Sequence, residues 1–189
     1  MSSLDETFEL LRAHLRQPEL LNPAQSDPLF YFVHEPSEAL DLKQKIHVWS
    51  SVLANEGWTV EQVSFSKLLW EIVDHSGRWE EWLGLEQHAD PDDLNEAIRD
   101  VLRADNALIR SVTKYVTNER PRTIVFLTDA ATLHPYFRLR AIESALHDKL
   151  KVPVVVFYPG RRSGQYGLHF LGFYSFDGNY RATLLGGLE

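Results

Sequence analysis

The sequence predicts an α/β fold: a three-layer domain whose mostly parallel sheet is flanked by helices and ends in an antiparallel carboxyl-terminal hairpin. Three observations predict it. Helical and extended patterns alternate repeatedly along the chain, as they do where helices cross between parallel strands. Two β-branched apolar runs, Thr123 to Asp129 and Val152 to Tyr158, read as strands buried on both faces. Asp177-Gly178 lies between the apolar stretches Leu168 to Tyr174 and Tyr180 to Leu184, which is a hairpin signal. No repeat, low-complexity tract or linker divides the 189 residues, so one domain over 1–189 is expected.

In chain order, Leu4, Phe8, Leu11 and Leu15 recur at helical spacing and predict a helix from about Ser3 to Arg16. Pro18 and Asn22-Pro23 break the chain before the strand Leu29 to Val33. Pro36 suits a helix start, and Leu42, Ile46, Trp49 and Leu53 stripe that helix to about Asn55, where Gly57 offers a left-handed stop. Trp58 to Val63 is a second strand. Ser64 then caps a helix whose buried face is Phe65, Leu68, Leu69, Ile72 and Val73. Residues 77–89 carry Trp79, Trp82 and Leu85 among acids, and read as a helical excursion or a partner-facing flap. Asp90-Pro91-Asp92-Asp93 is a strong helix start, with carboxylates at the positive dipole end. That helix is expected to be the longest, reaching about Asn118, with Asp105 solvated where it interrupts the stripe. The strand 122–128, a loop through His134-Pro135, a helix from about Tyr136 to Leu150 and the strand 152–158 follow. A loop from Pro159 to Gln165 is expected after that strand, rich in Pro, Gly and Arg.

Composition narrows the function. Net charge is −8, which disfavours a broad nucleic-acid footprint because phosphate is repelled. Arg138/Arg140 and Arg161/Arg162 are the local basic pairs. The absence of cysteine excludes disulfides, thiolate catalysis and cysteine-type zinc sites. The first residues lack a basic and an apolar leader region, and no run is long enough to span a bilayer, so a cytoplasmic, soluble protein is expected. Five Trp, ten Phe and seven Tyr supply both core and interface.

The motifs of catalysis are missing. The loop after the first strand, Phe32 to Ser37, has neither the glycines nor the lysine of a phosphate loop, and it carries Glu35 where an anion would sit. No dinucleotide-binding glycine pattern and no Gly-x-Ser-x-Gly elbow occurs. Thr128-Asp129 resembles a strand-end magnesium acid; without a phosphate cradle, a turn or cap role is the ordinary reading. The acid pairs Glu80/Glu81 and Asp92/Asp93 read as solvated or dipole-facing charge. The eight His show no metal-binding spacing. His134, in the loop near Asp129, is the most placed for chemistry, although a lone loop His is ordinarily structural. No metal, cofactor or catalytic residue is expected. Arg161 and Arg162, flanked by Gly160 and Gly164, remain: they form either an anion or carboxylate clamp or a solvated surface turn.

One family carries this pattern. Phe126-Leu127-Thr128, then His134-Pro135 with Phe137 and Arg138, then Val152 to Gly160, then Gly164-Gln165, Phe170 and Asp177 to Ala182 together resemble the BrxB family of bacteriophage-exclusion (BREX) defence systems. The chain departs from that family's pattern at Asp129, where a small residue is usual, and at Ser163, where an acid is usual. The resemblance implies a small accessory component of a multi-protein antiphage system, accompanying an alkaline-phosphatase-like protein (PglZ), a large ATPase (BrxC) and a methyltransferase.

The expectation is therefore a non-catalytic adaptor that binds PglZ or BrxC through the Pro159–Gln165 loop, Arg138 and the aromatic hairpin. Asp129, His134, Arg138, Pro159, Gly160, Arg161, Arg162 and Gln165 are the candidate partner- or anion-binding residues. The alternative is a nucleotide- or phosphate-binding enzyme or sensor at the strand carboxyl ends, using Asp129, Arg138, Gly160, Arg161 and Gln165. Direct DNA binding is disfavoured by charge, and homodimerisation through a sheet edge or the Trp79/Trp82 segment stays open.

Overall fold

The architecture grows from three apolar strands that no helix leaves uncovered. The computed structural model describes residues 3–22, 27–86, 88, 90–164, 167–178 and 180–187. Strands β1 (Leu29–His34), β2 (Thr59–Ser64), β3 (Thr123–Thr128), β4 (Val154–Ser163), β5 (Gly167–Phe170) and β6 (Thr183–Gly186) run in the order β2-β3-β4-β1-β6, with β5 bonded to β4. Every pairing along that path is parallel, and β4–β5 is antiparallel. The interior strands β1, β3 and β4 are the continuous apolar runs; the edge strand β2, with exposed and half-buried residues, carries Glu61 and Gln62.

Alternation along each strand sends successive side chains to opposite faces. Tyr31, Val125, Leu127, Val154 and Val156 meet the apolar stripes of helices α3 (Phe65–His75), α6 (Ala107–Val116) and α7 (Leu139–Leu146). Phe30, Phe32, Ile124, Phe126, Val155 and Phe157 meet α1 (Ser3–Leu15) and α2 (Ala39–Asn55). A satellite cluster joins α3 to α4 (Trp79–Glu86) and α5 (Pro91–Arg103) through Leu69, Val73, Trp82, Ile98 and Leu102. The Trp-bearing segment is thus a helix, with Trp82 inside it. Ser64 caps α3 and Asp90 caps α5, each by accepting a backbone amide. No helix among the described residues is long and apolar enough to cross a membrane.

Four expectations need correction. The long helix from Asp90 is broken: α5 and α6 are separated at Asp105 and Asn106, both in left-handed backbone at φ 49° and 54°. Asp105 is exposed, as expected, but it marks the break instead of riding over it. The uninterrupted α2 is longer, at 17 residues. The last crossover helix is shorter than its stripe suggests, because Tyr136 and Phe137 amides fold back to Leu133 carbonyl, 2.7 Å each, and Asp148 turns left-handed. Pro159 to Ser163 is not a loop; it continues β4, with Pro159 still opposite β1 and Gly160 to Ser163 paired with β5. Finally, the antiparallel hairpin is β4–β5. The residues around Asp177-Gly178 keep only a bridge between Leu168 and Asp177, and the chain then crosses to lay β6 parallel to β1. That choice covers the open edge of the most apolar strand, which an exposed hairpin would have left unpaired.

Candidate functional site

The predicted site residues fall into three neighbourhoods. Asp129 follows β3 in left-handed backbone, and its carboxylate accepts from Ser64 Oγ at 2.6 Å and Thr128 Oγ1 at 3.3 Å, and pairs with Lys43 Nζ at 3.0 Å. Burial works to raise its pKa, but the bonds from Ser64 and Lys43 prevail and hold it below the ordinary carboxylate value. The residue ties the ends of β2 and β3 to α2. A cleft of about 230 Å³ lies beside it, lined with His34, Lys43, Phe157, Pro159 and Leu171.

The extended β4 holds the second group. Pro159 sits opposite His34, and its carbonyl accepts the Leu171 amide at 2.8 Å. Gly160 is opposite Phe170, where a Cβ would come within 2.2 Å of His169 carbonyl oxygen, so only glycine fits. Arg161 Nε donates to both oxygens of Glu35, at 2.9 and 3.2 Å. Arg162 Nε donates to Gly164 carbonyl at 3.1 Å, and its amide to Gly187 carbonyl at 3.3 Å. The two arginines therefore staple the hairpin to the loops after β1 and β6. Gln165 lies outside the described residues, as does Asn179.

His134 and Arg138 form the third group, apart from Asp129. His134 Nδ1 bonds Tyr174 Oη, and its ring meets Phe173 edge-on at 5.6 Å. The His134-Pro135 peptide is cis. Arg138 lies over the Tyr174 ring, 5.1 Å from its centroid. Phe173 stacks on Tyr174 at 4.9 Å, and both it and Phe176 face outward, 67% and 58% exposed. Phe176 rests against Gly167, at a distance no side chain on that glycine would permit. The result is an apolar, aromatic rim with arginine beside it, held by the β4–β5 hairpin.

Two features escaped sequence reasoning. Below the rim a cleft of about 350 Å³ is lined by Arg99, Arg103, His134, Arg138, Arg140, Tyr158, Tyr174 and Asp177 among others, drawn from α5, the loop before α7, the start of α7, β4 and the segment after β5. Only the fold brings α5 to that loop. Elsewhere Asp27, His147 and Asp148 place donor atoms within 4.8 Å of one another. His147 Nδ1 is 2.6 Å from Asp27, and Asp27 also accepts the Asp148 amide at 3.1 Å, so these groups already satisfy one another as a loop tie.

Comparison with known proteins gives one result. A family model described as BREX protein BrxB matches residues 61–185, from β2 through most of β6, and so spans both the aromatic rim and the cleft below it. No curated protein and no solved structure is matched.

Proposed function

We propose, from the premise that the chain belongs to the BrxB family and is a component of a BREX phage-defence system, that it is a non-catalytic adaptor docking onto another component, PglZ or BrxC. The observation that carries this reading is the outward pair Phe173 and Phe176, exposed on a segment anchored by a strand and flanked by Arg138. Solvent-facing aromatics cost solubility unless something covers them, and aromatic and arginine side chains are the usual anchors of protein interfaces. Those anchors are preorganised here: Phe173 is stacked on Tyr174, and Arg138 lies over the same ring, so docking freezes few rotamers. The named catalytic candidates support the non-catalytic side of the reading, since Asp129 is committed to Ser64 and Lys43 while His134 is committed to Tyr174.

Affinity purification of the tagged chain from cells expressing the complete system is the test. PglZ or BrxC should accompany the unaltered chain and be lost with Phe173→Ser/Phe176→Ser. Charge reversal at Arg161 alone should weaken capture less, because that side chain is engaged with Glu35. Recovery of neither component would end the proposal.

A further inference from the structure

The cleft beneath the aromatic rim concentrates positive charge on a chain whose overall balance is −8. Its lining holds Arg99, Arg103, Arg138 and Arg140 with Asp177 as its carboxylate. The local pairing leaves a surplus. Arg140 is taken by Asp177 and Gly178 carbonyl. Arg99 meets Glu96 at 2.6 Å and Pro135 carbonyl at 3.2 Å, and Arg103 approaches the same Glu96 only at 3.9 Å. Arg138 has no carboxylate partner among the described residues; its contact is the Tyr174 ring.

Two further features converge on this space. Helix α7 begins at Leu139, and the Arg138 side chain at its N-cap makes no capping bond; the Ala141 amide donates to the Arg138 carbonyl at 3.0 Å, which leaves the Leu139 and Arg140 amides beside the lining without an intrahelical acceptor. At the floor, Tyr158 is 1% exposed, and its buried hydroxyl makes no well-aligned hydrogen bond although the Tyr180 hydroxyl lies beside it. Tyr180 is near enough to share its electrostatics, but the Tyr180 hydroxyl donates to Asp177 at 3.2 Å. A buried, unsatisfied hydroxyl is costly and calls for a ligand or water that completes it. Tyr136, Phe137, Phe170 and Tyr174 supply flat apolar walls.

We propose that this cleft binds a phosphate-bearing small molecule of mononucleotide size, its phosphate held by Arg138, Arg103 and the α7 amides, and its polar body accepting from Tyr158 Oη. The volume lies at the lower end of small-ligand sites, which suits one nucleotide better than an extended acidic peptide needing an open groove. Planar guanidinium groups and a helix N-terminus are both matched to phosphate oxygens. The site is distinct from the docking pair Phe173 and Phe176, although it shares Arg138 and Tyr174 with the rim, so partner capture and ligand binding are separable readouts.

The test is isothermal titration of the purified full chain with AMP, with inorganic pyrophosphate and with citrate as a non-phosphate trianion. AMP should bind with an affinity that falls as salt rises. Citrate should bind at least about tenfold more weakly. Arg138→Glu and Tyr158→Phe should each cost about tenfold or more, consistent with losing a charge-assisted or buried hydrogen bond, while Arg161→Glu should change nothing. Circular dichroism verifies that each variant is folded, and Arg103→Ala, on the exposed face of α5, gives a second probe if Arg138→Glu is not. Absence of binding by AMP and pyrophosphate at millimolar concentration overturns the proposal, as does binding that Arg138→Glu, Arg103→Ala and Tyr158→Phe all leave intact. Equal affinity for citrate overturns the phosphate assignment.

Discussion

Among individual residues, Glu143 does the most to join distant parts of the chain. It is buried on α7, and its carboxylate accepts from Tyr31 Oη at 3.3 Å and from the amides of Arg181 and Ala182 at 2.8 and 3.2 Å. Burial, reinforced by this carboxylate, pushes the Tyr31 phenol well above its ordinary pKa, so the phenol remains a donor. Glu143→Ala strips three donors of their acceptor, and should lower unfolding free energy by about 3 kcal/mol in a urea titration. Phe173→Ser/Phe176→Ser should shift it less, by about 1 kcal/mol, because those rings are more than half exposed and lose only the Tyr174 stack and the Gly167 contact. The role of Glu143 was not legible beforehand: the sequence places an acid on a helix, and only the topology delivers Tyr31 and the approach to β6. The converse holds for Ser64 and Asp90, whose capping roles follow from type and position alone.

At the level of elements, the interior strands were readable because burial on both faces demands unbroken apolar runs, and β1, β3 and β4 supply them. Where the pattern failed, backbone conformation decided. The apolar stripe resumes beyond Asp105 and reads as one helix, yet Asp105 and Asn106 turn left-handed and divide α5 from α6. Asp105→Gly removes the steric cost of that conformation and should raise stability by about 1 kcal/mol, read as an increased thermal midpoint. Were α5 and α6 one continuous helix, the same substitution would destabilise by a similar amount. Likewise, Pro-Gly at the end of the β4 run reads as a turn. Gly160 instead lets β5 approach closely, so Gly160→Ala should separate β4 from β5, with accelerated exchange of the Leu171 amide, which donates to the Pro159 carbonyl.

For the molecule as a whole, acid sensitivity follows from His34. Burial is the main cause holding its pKa below the ordinary 6.5, against smaller upward pulls from the Glu35 carbonyl and from Glu38. The unfolded chain then binds the proton more readily than the folded one, so stability rises with pH across the window between the lowered value and 6.5. Thermal midpoints should be level above that window and fall as pH drops through it, and His34→Gln should flatten the fall. The Asp129 carboxylate, with its depressed pKa, adds a second loss at more acid pH, below its ordinary 3.8. The family membership was legible in the carboxyl-terminal blocks and the parallel sheet in the helix–strand alternation along the chain, whereas the cleft was not, because its arginines are far apart in sequence. The proposed adaptor role turns on whether the aromatic rim meets another defence component. The most direct measurement is biolayer interferometry of the immobilised chain against purified PglZ and BrxC, with the Phe173→Ser/Phe176→Ser variant alongside. Saturable binding of one component, reduced at least about tenfold by the double substitution, is the predicted result; no binding of either, or binding that the variant retains in full, would contradict it.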